Sequence, residues 1–157
     1  MAVTHNTFVI ERSYPKPPAK VFAAFADIAR KKRWYAAGGA HDVVSYENDF
    51  RVGGREVLVG KMKPGTPIAG VVLTWAQDYV DIVDGQRIVG TQTLDMQTGE
   101  GETRASVAIV SIELEAAGDG CRLVMTHQAT YFERTDGPQM REHGWRVLLD
   151  AVEGALD

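Results

Sequence analysis

The clearest pattern in the chain is a stripe of apolar residues at helical spacing between Pro138 and Leu156. At about 100° of rotation per residue, the spacing i, i+3, i+4, i+7, i+11 places the whole stripe on one face of a helix. A helix over this range is nearly 30 Å long at roughly 1.5 Å per residue, which matches a strand of about nine residues at roughly 3.3 Å per residue. The pattern predicts an amphipathic helix that can cover a whole sheet. The stripe consists of Trp145, Leu148, Leu149, Val152 and Leu156, while Glu142, Arg146, Asp150 and Glu153 fall outside it.

The first forty residues predict one strand followed by two short helices. Apolar and polar residues alternate over Thr7–Tyr14, which is typical of a strand. Pro17-Pro18 suits the first turn of a helix, and the apolar residues that follow recur at helical spacing. Asp27 is placed to cap a second short helix that runs to Trp34.

The region from Asp42 to Phe132 predicts about six more strands, separated by Gly, Asn, Asp and Pro clusters. The last two strands, Arg104–Glu115 and Cys121–Phe132, should form a long antiparallel hairpin. The predicted inward face of the second of these strands contains Leu123, Met125, His127, Ala129 and Tyr131. A run of strands that ends in a helix, without strand–helix alternation, indicates an α+β fold with an antiparallel sheet.

Length and composition predict one domain, residues 1–157, with a single core. The net charge of -4 argues against the basic surface that nucleic acids require, so nucleic acid is not an expected partner. Cys121 is the only cysteine, which excludes an internal disulfide and a zinc site made of thiolates. The N-terminus does not read as a signal peptide, and no apolar run is long enough to span a membrane. These features predict a cytoplasmic protein.

Seven segments in order resemble the SRPBCC (START-like) superfamily, and within it the bacterial branch related to activators of the Hsp90 ATPase. The resemblance runs from Phe8 to Leu156 and implies a helix-grip fold, in which a seven-stranded curved sheet wraps around a long C-terminal helix with a cavity between them. Cys121 and His127 depart from the residues usual in similar proteins, a Thr and an acid respectively. The segments are F-V-I-E-R-S-Y from Phe8, V-F-A-A-F from Val21, R-W at Arg33-Trp34, D-F-R-V-G-G-R-E from Asp49, Y-V-D-I-V-D-G-Q-R-I-V-G-T from Tyr79, G-D-G-C-R-L-V-M-T-H-Q from Gly118, and R-E-H-G-W-R-V-L-L-D-A-V from Arg141.

Two residues near the start of the predicted last helix fit a purely structural role poorly. Arg141 lies one turn before Trp145 on the apolar stripe, where its guanidinium would either reach out to water or hold a carboxylate or phosphate at a cavity mouth. Gly144 costs about 1 kcal/mol in a helix interior relative to alanine. Either it packs closely against a backbone, such as Gly53-Gly54, or it leaves room for a ligand.

His127 and Tyr131 share the predicted inward face with Met125, so each buried polar group needs a partner from the protein, water or a ligand. Two interpretations are open, a satisfied structural histidine and a polar anchor in an apolar pocket. Aromatic residues would supply the walls of such a pocket, although aromatics are also common in cores. The aromatic candidates are Trp34, Trp75, Tyr79 and Trp145.

The remaining motifs indicate no catalytic, metal-binding or cofactor-binding site. The basic run over residues 30–33 is interpreted as a solvated helix face, with an acidic partner as the alternative. The four histidines lack metal-ligand spacing, and no phosphate-binding loop, dinucleotide fingerprint or nucleophile elbow is found. The sequence therefore predicts no catalytic residue, metal or cofactor.

These observations lead to three functional hypotheses. The first is a binding protein for a small, mostly apolar molecule. The second is a co-chaperone related to the Hsp90 ATPase activators, whose eukaryotic members carry an additional N-terminal domain that 157 residues do not accommodate. The third is an enzyme of the cyclase or aromatase type, in which His127, Tyr131 or Arg141 assists proton transfer. A homodimer is plausible, but no residue demands one.

Overall fold

The computed structural model of the protein describes residues 3–133 and 136–157, and its main feature is a seven-stranded antiparallel sheet. The strand order is β1-β7-β6-β5-β4-β3-β2, so β2 to β7 form a meander and β1 pairs with β7. This arrangement confirms the predicted α+β fold and strand number. The strands are β1 (Thr4–Tyr14), β2 (His41–Asn48), β3 (Arg55–Met62), β4 (Val72–Val83), β5 (Arg87–Thr98), β6 (Gly101–Ala117) and β7 (Gly120–Tyr131).

In the described part of the chain three α-helices accompany the sheet, namely α1 (Pro18–Ala26), α2 (Ile28–Trp34) and α3 (Gly137–Ala151). Asp27 caps α2 as predicted, because its side chain accepts a hydrogen bond of 3.2 Å from the backbone N–H of Arg30. Within the part of the chain that the structure describes, no helix has the length and apolar character needed to cross a membrane.

The sheet curves because three of its strands carry irregularities in pairing. An extra residue interrupts the pairing at Val44 in β2, at Val80 in β4 and at Ala105 in β6. An extra residue in one strand bends that strand and increases its twist. The concave face that results receives the helices.

The apolar stripe of α3 packs into the main core as predicted. Trp145 and Leu149 are buried in α3, and Val152 and Leu156 continue the buried face beyond it. The Tyr14 hydroxyl of β1 donates a 2.6 Å hydrogen bond to the Leu149 carbonyl, which fixes the helix to the edge of the sheet.

The prediction of one continuous helix to Leu156 is wrong at its C-terminal end, where a 3-10 turn over Val152–Ala155 follows α3. A tighter last turn frees carbonyl groups that need other donors. Two arginines of α2 supply them, since Arg33 Nη2 donates to the Gly154 carbonyl at 2.5 Å and Arg30 Nη1 donates to the Ala155 carbonyl at 3.1 Å.

Candidate functional site

Arg141 lies on the inner side of α3 and is largely buried, with 11% of its side chain exposed. Its Nε donates a hydrogen bond to Asp136 Oδ2 and its Nη2 donates one to Asp136 Oδ1, both at 2.8 Å. Nη2 also donates to Ser106 Oγ at 2.9 Å, and the guanidinium carbon lies 5.3 Å from the centre of the Tyr131 ring. The interpretation that this side chain reaches out to water is therefore wrong.

A small cavity lies beside Arg141, between α3 and the concave face of the sheet. Its volume is about 10 Å³, which is room for a single water molecule. Arg141, Ser106 and Gln92 form its polar side, and Tyr35, Trp75 and Leu94 form its aromatic and apolar side. An amphipathic lining of this kind is usual for small-molecule sites, but the space in this state is far below the size of a typical ligand pocket.

His127 and Tyr131 are buried on the inner face of β7, with 0% and 1% of their surface exposed. Neither ring nitrogen of His127 nor the Tyr131 hydroxyl has a hydrogen-bond partner among residues 3–133 and 136–157. The interpretation of His127 as a histidine satisfied by the protein is therefore wrong for the described residues. Burial, and secondarily the positive charge of Arg141, lowers the pKa of His127 to about 4, so the imidazole is neutral at pH 7.

His127 is held in place by stacking. Its ring lies parallel to that of Phe8 on β1, with 4.5 Å between the ring centres. The two residues are direct partners in the β1–β7 pairing, so the register of the sheet sets this contact. Because stacking uses the face of the imidazole, both ring nitrogens remain available to another group.

The predicted aromatic walls do not all lie at the cavity. Trp75 lines it directly, and Trp145 stacks on the cavity residue Tyr35 at 6.2 Å between ring centres. Trp34 belongs to the main core, where its Nε1 donates to the Ala24 carbonyl at 2.8 Å. Met125 and Tyr79 are also buried in that core, and neither lines the cavity.

Gly144 does not contact a neighbouring backbone. A Cβ atom built on it would meet no atom within 4 Å, and the residue is exposed. The predicted close packing against Gly53-Gly54 is therefore wrong. That loop instead pairs with Tyr79, and Gly53 there has φ +84°.

A buried polar network on the same concave face was not predicted. Lys31 and Glu56 have 4% and 1% of their surface exposed, and the Lys31 ammonium lies 2.9 Å and 3.0 Å from the two carboxylate oxygens of Glu56. Three neutral donors complete the shell of this carboxylate, namely the Tyr46 hydroxyl at 2.5 Å and the amides of Asn48 and Gln77, both at 3.1 Å. The prediction that residues 30–33 form a solvated basic face is therefore wrong for Lys31.

The network reaches the cavity through two glutamines. Gln92, which lines the cavity, donates to the side-chain oxygen of Gln77 at 3.1 Å, and Gln77 donates to Glu56. Burial, and then the negative charge of Glu56, raises the pKa of Tyr35 and Tyr79. These phenols therefore stay protonated and act as neutral groups at physiological pH.

The sequence contained a signal for the burial of both charges, although not for their pairing. Lys31 lies three residues before the core residue Trp34 on α2, and Glu56 lies two residues before the buried Leu58 on β3. Helical and strand periodicity therefore place both charges on inward faces. Lysine and glutamate usually lie at the surface, so residue type predicted exposed side chains instead.

A second apolar cluster lies next to the cavity and is separate from the main core. Leu73, Leu94 and Ala105 are its buried members, and Met62, Val71, Trp75 and Met96 pack against it. Trp75 and Leu94 belong to both the cavity lining and this satellite cluster. The cavity therefore joins a charged end at Arg141 to an apolar end at the satellite cluster.

Other parts of the molecule contribute less to a candidate site. An open groove of about 370 Å³ lies where the β4–β5 turn meets the β6–β7 hairpin, but its two arginines, Arg87 and Arg122, pair with acidic residues. No group of three or more His, Cys, Asp or Glu side chains in the described residues could hold a metal ion.

Comparisons with known proteins agree with this architecture. The family model for Activator of Hsp90 ATPase homolog 1-like protein matches residues 15–157. A solved structure of a Rhizobium loti protein is 37% identical, with a TM-score of 0.85, and the match covers 99% of each chain. An uncharacterised protein from Rhizobium leguminosarum is 30% identical, with a TM-score of 0.87 over 99% of this chain and 96% of the other. None of the curated protein sequences compared with the chain matches it.

A more distant structure shows the same fold. The AHSA1-like protein from Aeromonas hydrophila is 18% identical, with a TM-score of 0.68 over 96% of this chain and 92% of that one. The sheet, the terminal helix and these matches confirm the resemblance to the SRPBCC superfamily and its helix-grip fold. The chain belongs to the family of Activator of Hsp90 ATPase homolog 1-like proteins.

Proposed function

We propose that the protein binds a small, mostly apolar molecule between the concave face of the sheet and the first turns of α3. The observation that carries this proposal is the pair of buried polar side chains, His127 and Tyr131, that have no hydrogen-bond partner among the described residues. An unmade hydrogen bond in a buried site costs about 1–3 kcal/mol, and a ligand that supplies the missing partner recovers that energy.

The surroundings of these groups support a ligand with an apolar body. Tyr131 belongs to the apolar main core, and His127 stacks on Phe8, another member of that core. Arg141 lies against the Tyr131 ring and also lines the cavity. A few polar anchors within apolar walls are the usual composition of a small-molecule site.

Binding requires the cavity to expand, because about 10 Å³ does not admit an organic molecule. The first turn of α3, which precedes Arg141, is the part of the site that is least tied to the core. Met140 in this turn is 67% exposed. Segments with few buried contacts open at low free-energy cost, so an outward displacement of this turn is the expected route.

Native mass spectrometry of protein purified from lysate, together with a thermal-shift screen of fatty acids, sterols and polyketides, tests the proposal. A ligand at about 100 times its Kd stabilises by about 2.7 kcal/mol, which corresponds to a Tm rise of about 5–10 °C for a chain of this size. We expect the rise to be reduced in His127→Phe and retained in Val147→Ser, a surface variant later in α3 whose parent residue is 56% exposed. The absence of any co-purified or stabilising compound would refute the proposal, and an unchanged rise in His127→Phe would refute this location.

The two alternatives have separate tests. The family description is what supports a co-chaperone, and an unchanged Hsp90-type ATPase rate on adding the protein would remove that hypothesis. The neutral imidazole of His127 beside Arg141 is what supports a cyclase-type enzyme. Turnover that survives replacement of His127, Tyr131 and Arg141 together would count against it.

A further inference from the structure

The forked pair between Arg141 and Asp136 indicates the chemical class of the ligand, given the binding function proposed above. We infer that the ligand carries a carboxylate that binds to Arg141, and that Asp136 occupies this binding position when no ligand is bound. The ligand would displace Asp136, place its own carboxylate on the guanidinium, and lay its apolar part along the satellite cluster.

The geometry of the pair is that of a carboxylate receptor. Nε and Nη2 of Arg141 face both oxygens of Asp136 at 2.8 Å each, which is the two-point arrangement that a guanidinium offers to any planar carboxylate. Because Asp136 itself supplies a carboxylate there, the structure contains the contact that a ligand would reproduce.

Arg141 does not depend on Asp136 for its position. Ser106 Oγ accepts a hydrogen bond from Nη2, and the Tyr131 ring lies against the guanidinium. Both contacts come from the sheet, whereas Asp136 lies just before α3 and only five residues from Arg141. The guanidinium therefore stays oriented when its acidic partner is exchanged, which reduces the cost of binding.

Asp136 is well placed to leave. Its side chain is 24% exposed, against 11% for Arg141, so its carboxylate is the member of the pair that lies nearer to water. It makes no side-chain cap to α3, and Gly137 next to it has φ +80°, a conformation that favours glycine and allows a sharp change of direction. Exchange of this carboxylate therefore removes no side-chain cap from α3.

The other end of the cavity fits an apolar chain. Trp75 and Leu94 continue from the cavity into the satellite cluster, which also contains Met62 and Met96. Methionine side chains are flexible and adapt to irregular shapes, so they would repack around a chain that enters from Arg141. The site therefore suits an amphipathic molecule with one carboxylate at its end.

The test compares two probes that differ only in the head group, octanoic acid and octan-1-ol, by titration calorimetry at pH 7. The parent protein should bind the acid more tightly than the alcohol by roughly tenfold or more, since hydrogen bonds to charged groups are the stronger ones. Asp136→Asn removes the internal competitor and should tighten the acid by a similar factor while leaving the alcohol unchanged. Arg141→Gln should bring the acid to the level of the alcohol.

Glu142→Gln is the matched control, because Glu142 is a neighbouring acid on α3 that pairs with Arg146 and does not line the cavity. It should behave as the parent does. Equal affinities for acid and alcohol in the parent and in Asp136→Asn would overturn the carboxylate inference and leave the proposed binding function standing. Failure of all variants to bind either probe would count against both, and Asp136→Asn decides the question even if Arg141→Gln does not fold.

Discussion

Removing one partner of the buried pair of Lys31 and Glu56 should cost more stability than removing one partner of an exposed ion pair. Lys31→Met keeps most of the side-chain volume but removes the ammonium, which leaves the Glu56 carboxylate in a site where the residue is 1% exposed. Removing one partner of a buried pair costs about 3–5 kcal/mol, because the remaining charge stays buried without compensation. At about 2–4 °C per kcal/mol, the expected fall in Tm is about 6–20 °C.

The neutral donors around Glu56 supply a second arm of the experiment. In Lys31→Met/Glu56→Gln no charge remains, and the new amide still offers an oxygen to the Tyr46 hydroxyl and the Asn48 amide. The double variant should therefore be more stable than Lys31→Met alone. Urea denaturation followed by tryptophan fluorescence measures both differences as changes in the free energy of unfolding.

A surface pair provides the control for this experiment. Arg55 and Asp78 are 3.2 Å apart with side chains 60% and 59% exposed, and pairs of this kind contribute about 0–1 kcal/mol. Arg55→Met should therefore be close to the parent. A Lys31→Met protein within about 1 kcal/mol of the parent, or a double variant less stable than Lys31→Met, would refute the reasoning.

Three further predictions concern single positions. The pKa of His127 is about 4 in the folded protein against 6.5 ordinarily, so the unfolded chain binds the proton more readily. From pH 6.5 to pH 4 the free energy of unfolding should therefore fall by up to about 3 kcal/mol more in the parent than in His127→Phe. Urea titrations measure this difference, and parallel curves for the two proteins would contradict the prediction. Tyr14→Phe should lower the free energy of unfolding by about 1 kcal/mol, because it removes the hydrogen bond to Leu149. Tyr131→Phe should be neutral or stabilising, because the hydroxyl that it removes has no partner among the described residues. The reverse order of the two variants in thermal unfolding would contradict these contacts. Gly144→Ala should raise the free energy of unfolding by about 0.8–1 kcal/mol because its Cβ meets no atom, and a loss of stability in denaturant titrations would show that the glycine is required there.

Periodicity predicted the parts of this fold that follow from local chemistry. The alternation along β7 identified the buried face that contains Met125 and Tyr131, and the carboxylate of Asp27 identified the start of α2. These features depend on residues within a few positions of each other. Their geometry is therefore fixed by strand and helix repeats that a sequence displays directly.

The features that could not be predicted depend on residues from distant elements. Lys31 is buried because Glu56, on a strand of the opposite layer, neutralises it, and no local pattern near Lys31 indicates that partner. The end of the last helix depends in the same way on Arg30 and Arg33 of α2. The cavity volume follows from the side-chain packing of four elements at once, so the sequence predicted a cavity but not its small size.

The pairing of the first strand with the last has a consequence for how the chain is made. Thr4 pairs with Tyr131 and Tyr14 pairs with Cys121, so β1 has no partner until β7 has been synthesised. At roughly 5–20 residues per second, the ribosome needs roughly 5 s or longer to produce the intervening chain. During this time an unpaired strand edge is open to association with other chains, and the long loop slows closure of the sheet once β7 emerges. Refolding yield of this protein should therefore fall steeply with concentration.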